Sequence, residues 1–175
     1  VVPAEAGGYA VGALVLTNHG DRGNLVVDGV RVGEAIADLQ PEEHSEGSCV
    51  VIVATDAPLL PHQLRRVAER AGMGLARGGS HASNGSGEQL LAFSTANVVP
   101  RDGGPFTPTV VADGGDAGKI LSPLFQATVE ATEEAVVNAL FAAHTTVGRG
   151  GNTLHALPVD RTLAVMRTAG RLATV

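Results

Sequence analysis

The chain has 175 residues, 44% of them hydrophobic, enough for one domain with a sizeable core, and 3% aromatics with no Trp make that core aliphatic. Its 12 basic and 18 acidic residues give a net charge of -6 without a basic block, which argues against nucleic acid as a partner. The longest apolar run is far shorter than the roughly 18 residues of a membrane span, and the opening VVPAEAGGYAVG lacks the charged n-region of a signal peptide. A single cysteine, Cys49, excludes an internal disulfide and leans mildly towards a cytoplasmic location.

Residues 9–17 (YAVGALVLT) read as a strand delivering the polar tip Asn18-His19-Gly20. Leu25-Val26-Val27 and Val30-Arg31-Val32 flank Asp28-Gly29, a hairpin signal. A short helical turn over 33–39 and an exposed loop over 40–47 follow. The apolar run 49–54 then reads as a fully buried strand, entered through Gly47-Ser48. Thr55-Asp56-Ala57-Pro58 offers capping groups for a helix starting near Pro61. Leu64, Val67, Ala68 and Ala71 line one face of that helix, and Gly72 is its expected stop. Residues 73–77 read as a strand, 78–87 as a Gly/Ser loop, and 88–96 (EQLLAFSTA) as a further strand with Glu88 at its mouth. A Gly/Pro/Asp-rich surface excursion covers 97–118. A helix over 119–143 follows, with a break at Ser122-Pro123, and after an extended 154–157 Asp160 is expected to cap a last helix stopped by Gly170. Strands, one helix, more strands and then helices define an α+β layered domain.

Gly47-Ser48 admits two readings. Gly-Ser before a strand is common turn chemistry, and on these residues alone that reading stands first. The sharper one is an autoproteolytic nucleophile: Gly47 lets the backbone bend into a strained conformation, and the Ser48 hydroxyl attacks the carbonyl before it. Cleavage would leave Ser48 with an α-amine of pKa roughly 7.7 to 8.0, so that one residue supplies nucleophile and base. If the strands lie side by side, Ser86 with Glu88 would orient that amine and Asn18 would donate to the oxyanion. Against this, Asn18-His19-Gly20 is also an ordinary turn, Ser86 one serine of a loop, and Glu88 a solvated strand end. Cys49 ranks well below Ser48 as a nucleophile. His19, His44, His62, His81, His144 and His155 are scattered without ligand spacing, so neither metal nor cofactor is expected, and His81 reads as a surface histidine before a substrate contact.

The stretches VLTNHGDRGNL from Val15, GSCVVIVATDAPLLPHQLRRVAERA from Gly47 and SNGSGEQLLAFSTAN from Ser83 carry a resemblance, as do EEAVVNAL from Glu133 and RTAGRLA from Arg167. Together they resemble the C-terminal half of the DmpA and β-peptidyl aminopeptidase family, N-terminal-nucleophile-type hydrolases that cut themselves into α and β chains. The resemblance reverses the order of the two readings. It implies nucleophile Ser48, activating Ser86 and Glu88, oxyanion donor Asn18 and autocleavage between Gly47 and Ser48. It also implies an α-β-β-α sandwich, with residues 1–47 ending the α chain and 48–175 forming the β chain, and a homotetramer of processed protomers. The implied activity is release of N-terminal residues from short peptides, amides or esters, β-peptides and D-amino acid substrates included. Family members are longer, and the half not matched here supplies an oxyanion tyrosine, which Tyr9 does not replace, and acidic residues for the substrate amine. The alternatives are an acyltransferase of the ornithine acetyltransferase type, whose nucleophile is threonine, and a non-catalytic module of the same fold.

Overall fold

Residues of alternating exposure become strands in the computed structural model, which describes residues 1–40, 47–112 and 117–172. Strands β1 (Val11–Asn18), β2 (Ser48–Thr55) and β3 (Gly87–Ser94) form one sheet in the order β1-β2-β3. Asn18 at the end of β1 lies against Gly47, the residue just before β2, while Ala10 bonds to Thr55 at the end of β2, so β1 and β2 run antiparallel. Ser48 meets Gly87 and Thr55 meets Thr95, so β2 and β3 run parallel. The run read as fully buried is buried on one face only: Cys49, Val51 and Val53 are at most 2% exposed, whereas Val50, Ile52 and Ala54 are half-buried. The expected loop over 40–47 falls mostly on residues 41–46, outside the described residues.

Helices α1 (Pro61–Arg77), α2 (Ala117–Ala142) and α3 (Val159–Thr168) supply the remaining regular structure, with a two-stranded antiparallel ribbon of β4 (Thr146–Val147) and β5 (Thr153–Leu154). No helix among the described residues is long and apolar enough to cross a membrane.

Helix α1 does not stop at Gly72, and residues 73–77 are its last turn and not a strand. Val67, Ala71 and Leu75 continue one buried stripe at helical spacing. Gly74 lies where a Cβ would come 2.6 Å from the Val129 carbonyl oxygen and 2.7 Å from Thr132 Cβ. Glycine here permits close helix approach; it does not terminate the helix. Termination falls at Gly79, with φ +101°.

The expected caps act elsewhere. Thr55 Oγ1 donates to the Ala10 carbonyl and accepts from the Ala57 N–H, and Asp56 accepts from the Ala10 N–H. These bonds hold the strand ends together, and Pro61 opens α1 in the first helical position, where a missing N–H costs nothing. Pro123 does not break α2, whose buried face of Leu121, Leu124, Thr128 and Val129 continues past it. Asp160 lies in the first turn of α3 without a capping bond, favourable to the helix dipole alone. Gly170 is the stop: at φ +68° its N–H bonds the Arg167 carbonyl while Arg171 N–H bonds that of Met166, a Schellman closure.

The chain divides into two compact units. One comprises Val1–Leu16, Val50–Gly74 and Gln89–Thr132; its buried residues include Val51, Val53, Ala71 and Leu124, and buried Gln63 donates to the Val111 carbonyl. Arg66 and Arg70 stack on Phe125 at 5.0 and 4.3 Å. The other comprises Thr17–Cys49, Leu75–Glu88 and Glu133–Val175. There Val27, Val32 and Met166 form a core with Val137 and Val165 against it. The Asp28-Gly29 turn is present, both residues at positive φ, but it closes a single bridge, Val27 to Val30, in place of the expected hairpin ladder. Val32–Ile36 leaves it at once as a 3-10 helix, burying Val32 and Ile36.

Candidate active site

The polar ends of the three strands meet within the second unit. β2 begins with Ser48, whose side chain is exposed and whose Oγ accepts a hydrogen bond from the Gly87 N–H at 3.3 Å. Pairing of β2 with β3 therefore sets Ser48 beside the first residue of β3. One position to either side of Gly87 stand Ser86 and Glu88, both half-buried, and the Ser86 hydroxyl donates to Glu88 Oε1 at 2.5 Å. Ser86 is itself held by its N–H to the Ser83 carbonyl at 2.8 Å, a turn built from the Gly/Ser loop.

Gly47 is placed by contact, not by an unusual dihedral. Its φ lies outside the left-handed region, so the strained bend expected from sequence is not what requires glycine. A Cβ at this position would come 2.4 Å from the Asn18 carbonyl oxygen and 2.9 Å from His19 Cα, both too close for a real contact. The Gly47-Ser48 peptide is thus pressed against the end of β1. Asn18 is exposed there, and among the described residues its side chain has no hydrogen-bond partner. The structure brings together the Asn18 backbone with Gly47, Ser48 with Gly87, and Ser86 with Glu88.

Two groups at this mouth were given no role by sequence reasoning. One is the Gly87 N–H, which no side-chain pattern reveals. The other is His19, half-buried, with Nδ1 buried and unpartnered among the described residues. Burial lowers its pKa below the ordinary histidine value, and the Glu88 carboxylate opposes this. Buried Cys49 is pushed the other way: burial first and Glu88 second raise the thiol's pKa, which keeps it protonated and a poor nucleophile. His81 is exposed on the same loop as Ser86. Among the described residues no three His, Cys, Asp or Glu side chains gather as a metal site.

The site is an exposed hydroxyl at the start of the middle strand, beside a second hydroxyl bonded to a carboxylate, groups of the kind serine hydrolases use. Consistent with that class, residues 1–154 match Peptidase family S58, and the chain belongs to this family. It is 39% identical over 95% of its length to β-peptidyl aminopeptidase BapA of Sphingosinicella xenopeptidilytica, covering 44% of that protein. A β-aminopeptidase of Burkholderia sp. has a similar structure, with TM-score 0.84 and 42% identity over 99% of this chain and 48% of that one. The L-aminopeptidase D-Ala-esterase/amidase of Ochrobactrum anthropi, a prototype for the serine aminopeptidases and a variant of the Ntn hydrolase fold, matches with TM-score 0.83 and 40% identity over 94% of this chain and 45% of that one. The mixed α/β fold is therefore that of the Ntn-hydrolase variant. This chain spans less than half the length of each of these relatives.

Proposed function

We propose that the chain is the C-terminal part of a self-processing serine aminopeptidase, with residues 1–47 ending its α chain and residues 48–175 forming its β chain. The observation that carries this reading is the exposed Ser48 hydroxyl at the mouth of β2, beside a Ser86–Glu88 hydrogen bond. In maturation the Ser48 oxygen attacks the Gly47 carbonyl carbon, the C–N bond breaks, and the resulting ester is hydrolysed by water. The products are a Gly47 carboxylate and a free Ser48 α-amine.

That amine is the base of the mature enzyme. It takes the Ser48 hydroxyl proton as the oxygen attacks the substrate carbonyl, then passes it to the departing amine. Glu88, acting through the Ser86 hydroxyl, stabilises the protonated amine. Asn18 turns its free amide N–H to the oxyanion, where losing one donor typically costs about 10²–10³ in kcat. Water then releases the acyl group from Ser48. The substrates are short peptides, amides or esters with a free N-terminus. The names of the relatives support including β-amino acid and D-alanine derivatives. The working assembly is a tetramer of processed protomers that includes the polypeptide this chain lacks.

Intact mass of the complete protein under denaturing conditions tests the reading directly. Two species divided between Gly47 and Ser48 are expected, and one uncut species that hydrolyses no aminoacyl-amide or β-peptide would overturn it.

A further inference from the structure

Self-cleavage needs a base that Ser48 cannot supply before it is freed. While the Gly47-Ser48 bond is intact, the Ser48 nitrogen is an amide whose lone pair is delocalised into the carbonyl, so it cannot take the proton of its own hydroxyl. Another group has to hold that proton while the oxygen attacks. Cys49, Glu88 and His19 stand at the strand ends around Ser48. Cys49 keeps its own proton, because burial first and Glu88 second raise its pKa. Glu88 already accepts the Ser86 hydroxyl at 2.5 Å. His19 is uncommitted: its Nδ1 is buried and has no hydrogen-bond partner among the described residues.

The position of His19 brackets the reacting hydroxyl from two sides. Its Cα is 2.9 Å from where a Cβ on Gly47 would fall, so the main chains of His19 and Gly47 are in contact at the bond to be cut. Nδ1 is the ring nitrogen nearer the main chain, so covalent geometry keeps it towards this contact. On the far side the Gly87 N–H bonds Ser48 Oγ, and Glu88, the next residue, acts on the imidazole through its charge. The strand order β1-β2-β3 puts Ser48 between the two, with all of these residues in the same compact unit. Burial keeps the imidazole neutral, as a base must be, and Glu88 favours the imidazolium that forms once the proton arrives.

We propose that His19 Nδ1 is the general base of self-cleavage, carrying one proton from the Ser48 hydroxyl to the Ser48 nitrogen. The inference rests on the self-processing reading and adds to it the group that the uncut chain uses. With Nε2 holding the ring proton, Nδ1 offers a lone pair. It takes the hydroxyl proton, directly or through one water, as the oxygen forms its bond to the Gly47 carbonyl carbon. When the C–N bond breaks, its electron pair stays on the nitrogen, which takes the proton back from the imidazolium. An ester and a free amine result, and the imidazole is neutral again. Water hydrolyses the ester, and the new Ser48 amine becomes the base for turnover. Two bases thus serve one hydroxyl in succession.

The test follows the complete protein by intact mass after cell-free synthesis is stopped. The parent is expected to pass from one species to two, divided between Gly47 and Ser48. His19→Gln keeps hydrogen-bonding atoms but has no basic nitrogen, and it is expected to cleave on the order of 10²–10⁴-fold more slowly, the usual worth of a positioned base. His19→Gly leaves room for the missing ring, and imidazole added to the buffer is expected to speed its cleavage while leaving the parent unaffected; His19→Ala serves the same purpose if glycine disturbs the fold. Cleavage of His19→Gln at the parental rate would overturn the inference. So would slow cleavage that imidazole does not change, since that is the mark of a structural role. A folded parent that stays uncut would refute the self-processing reading itself, so the two failures are distinguishable.

Discussion

The three strands of the sheet carry short polar residues at both ends, and the two ends use them differently. At one end Thr55, Asp56, Ser94 and Thr95 are committed to the backbone. Thr55 Oγ1 bridges Ala10 and Ala57, Asp56 accepts from Ala10, Ser94 Oγ donates to the Ala57 carbonyl at 2.6 Å, and Thr95 N–H bonds the Thr55 carbonyl. At the other, Ser48 accepts one long bond, Ser86 and Glu88 bond each other, and the Asn18 side chain and His19 Nδ1 have no partner among the described residues. A hydroxyl whose lone pairs and proton are all engaged by backbone is structural. One left exposed with a single weak bond is available for chemistry. Composition cannot separate the two, because both ends carry hydroxyl and carboxylate side chains.

Substitution should separate them. The largest effect is expected from Ser48→Ala, which removes the proposed nucleophile: no chain cleavage by intact mass and no turnover. Because the side chain is exposed, the thermal midpoint should report a change within about 0.5 kcal/mol. Cleavage in that variant would collapse the contrast.

Glu88→Gln should come next, because it replaces the charged acceptor of the Ser86 hydroxyl by a neutral one. Turnover is expected to fall on the order of 10²–10³-fold, the usual range for loss of one preorganised electrostatic stabiliser, in steady-state assays of processed enzyme. A thiol titration provides a second readout. The Cys49 pKa should move down once the raising influence of Glu88 is gone.

At the structural end Thr55→Val leaves the Ala57 N–H and the Ala10 carbonyl without their hydroxyl partner. Leaving buried polar groups unsatisfied costs about 1–3 kcal/mol, measurable by denaturant unfolding. Cleavage at Gly47-Ser48 should persist in whatever fraction is folded. A Thr55 variant that folds normally but fails to cleave would show that the two ends are not distinct in role.

The smallest effect concerns His19. Burial holds its pKa below the ordinary 6.5, so the unfolded chain takes up the proton first as pH falls. Its contribution to stability is therefore complete above that ordinary value, declines as pH drops towards the lowered folded value, and is constant below it. Thermal midpoints from about pH 7.5 to about pH 5 should fall less steeply in His19→Gln than in the parent protein. An unchanged slope would remove His19 from the groups that respond to the mouth's burial.

Much of this contrast is legible in the sequence. Apolar runs bounded by polar turns locate β1, β2 and β3 to within a residue or two, and the spacing of Leu64, Val67, Ala68 and Ala71 locates the body of α1 though not its end. Ser48, Ser86, Glu88 and Asn18 stand out through matching motifs, whereas alternation alone leaves each of them as an ordinary strand end. The departures share one cause. Gly72 satisfies the local rule for a helix stop, but α1 runs on to Arg77, and two residues further on Gly74 stands where α2 comes too close for a Cβ. Thr55 and Asp56 have cap chemistry, but Ala10, 45 and 46 positions earlier, claims them.

By itself, then, the sequence determined the aliphatic core, the positions of β1, β2 and β3 and the start of α1, and which short polar residues stand at strand ends, because these follow from residue type and local pattern. Only the tertiary structure decided which of those polar groups are engaged by backbone and which stand free. It also decided that Gly47 is required by the approach of Asn18, and that along β2 Val51 and Val53 are buried while Val50 and Ile52 are only half-buried. Such outcomes depend on contacts between distant residues, and no local pattern encodes how near those residues come.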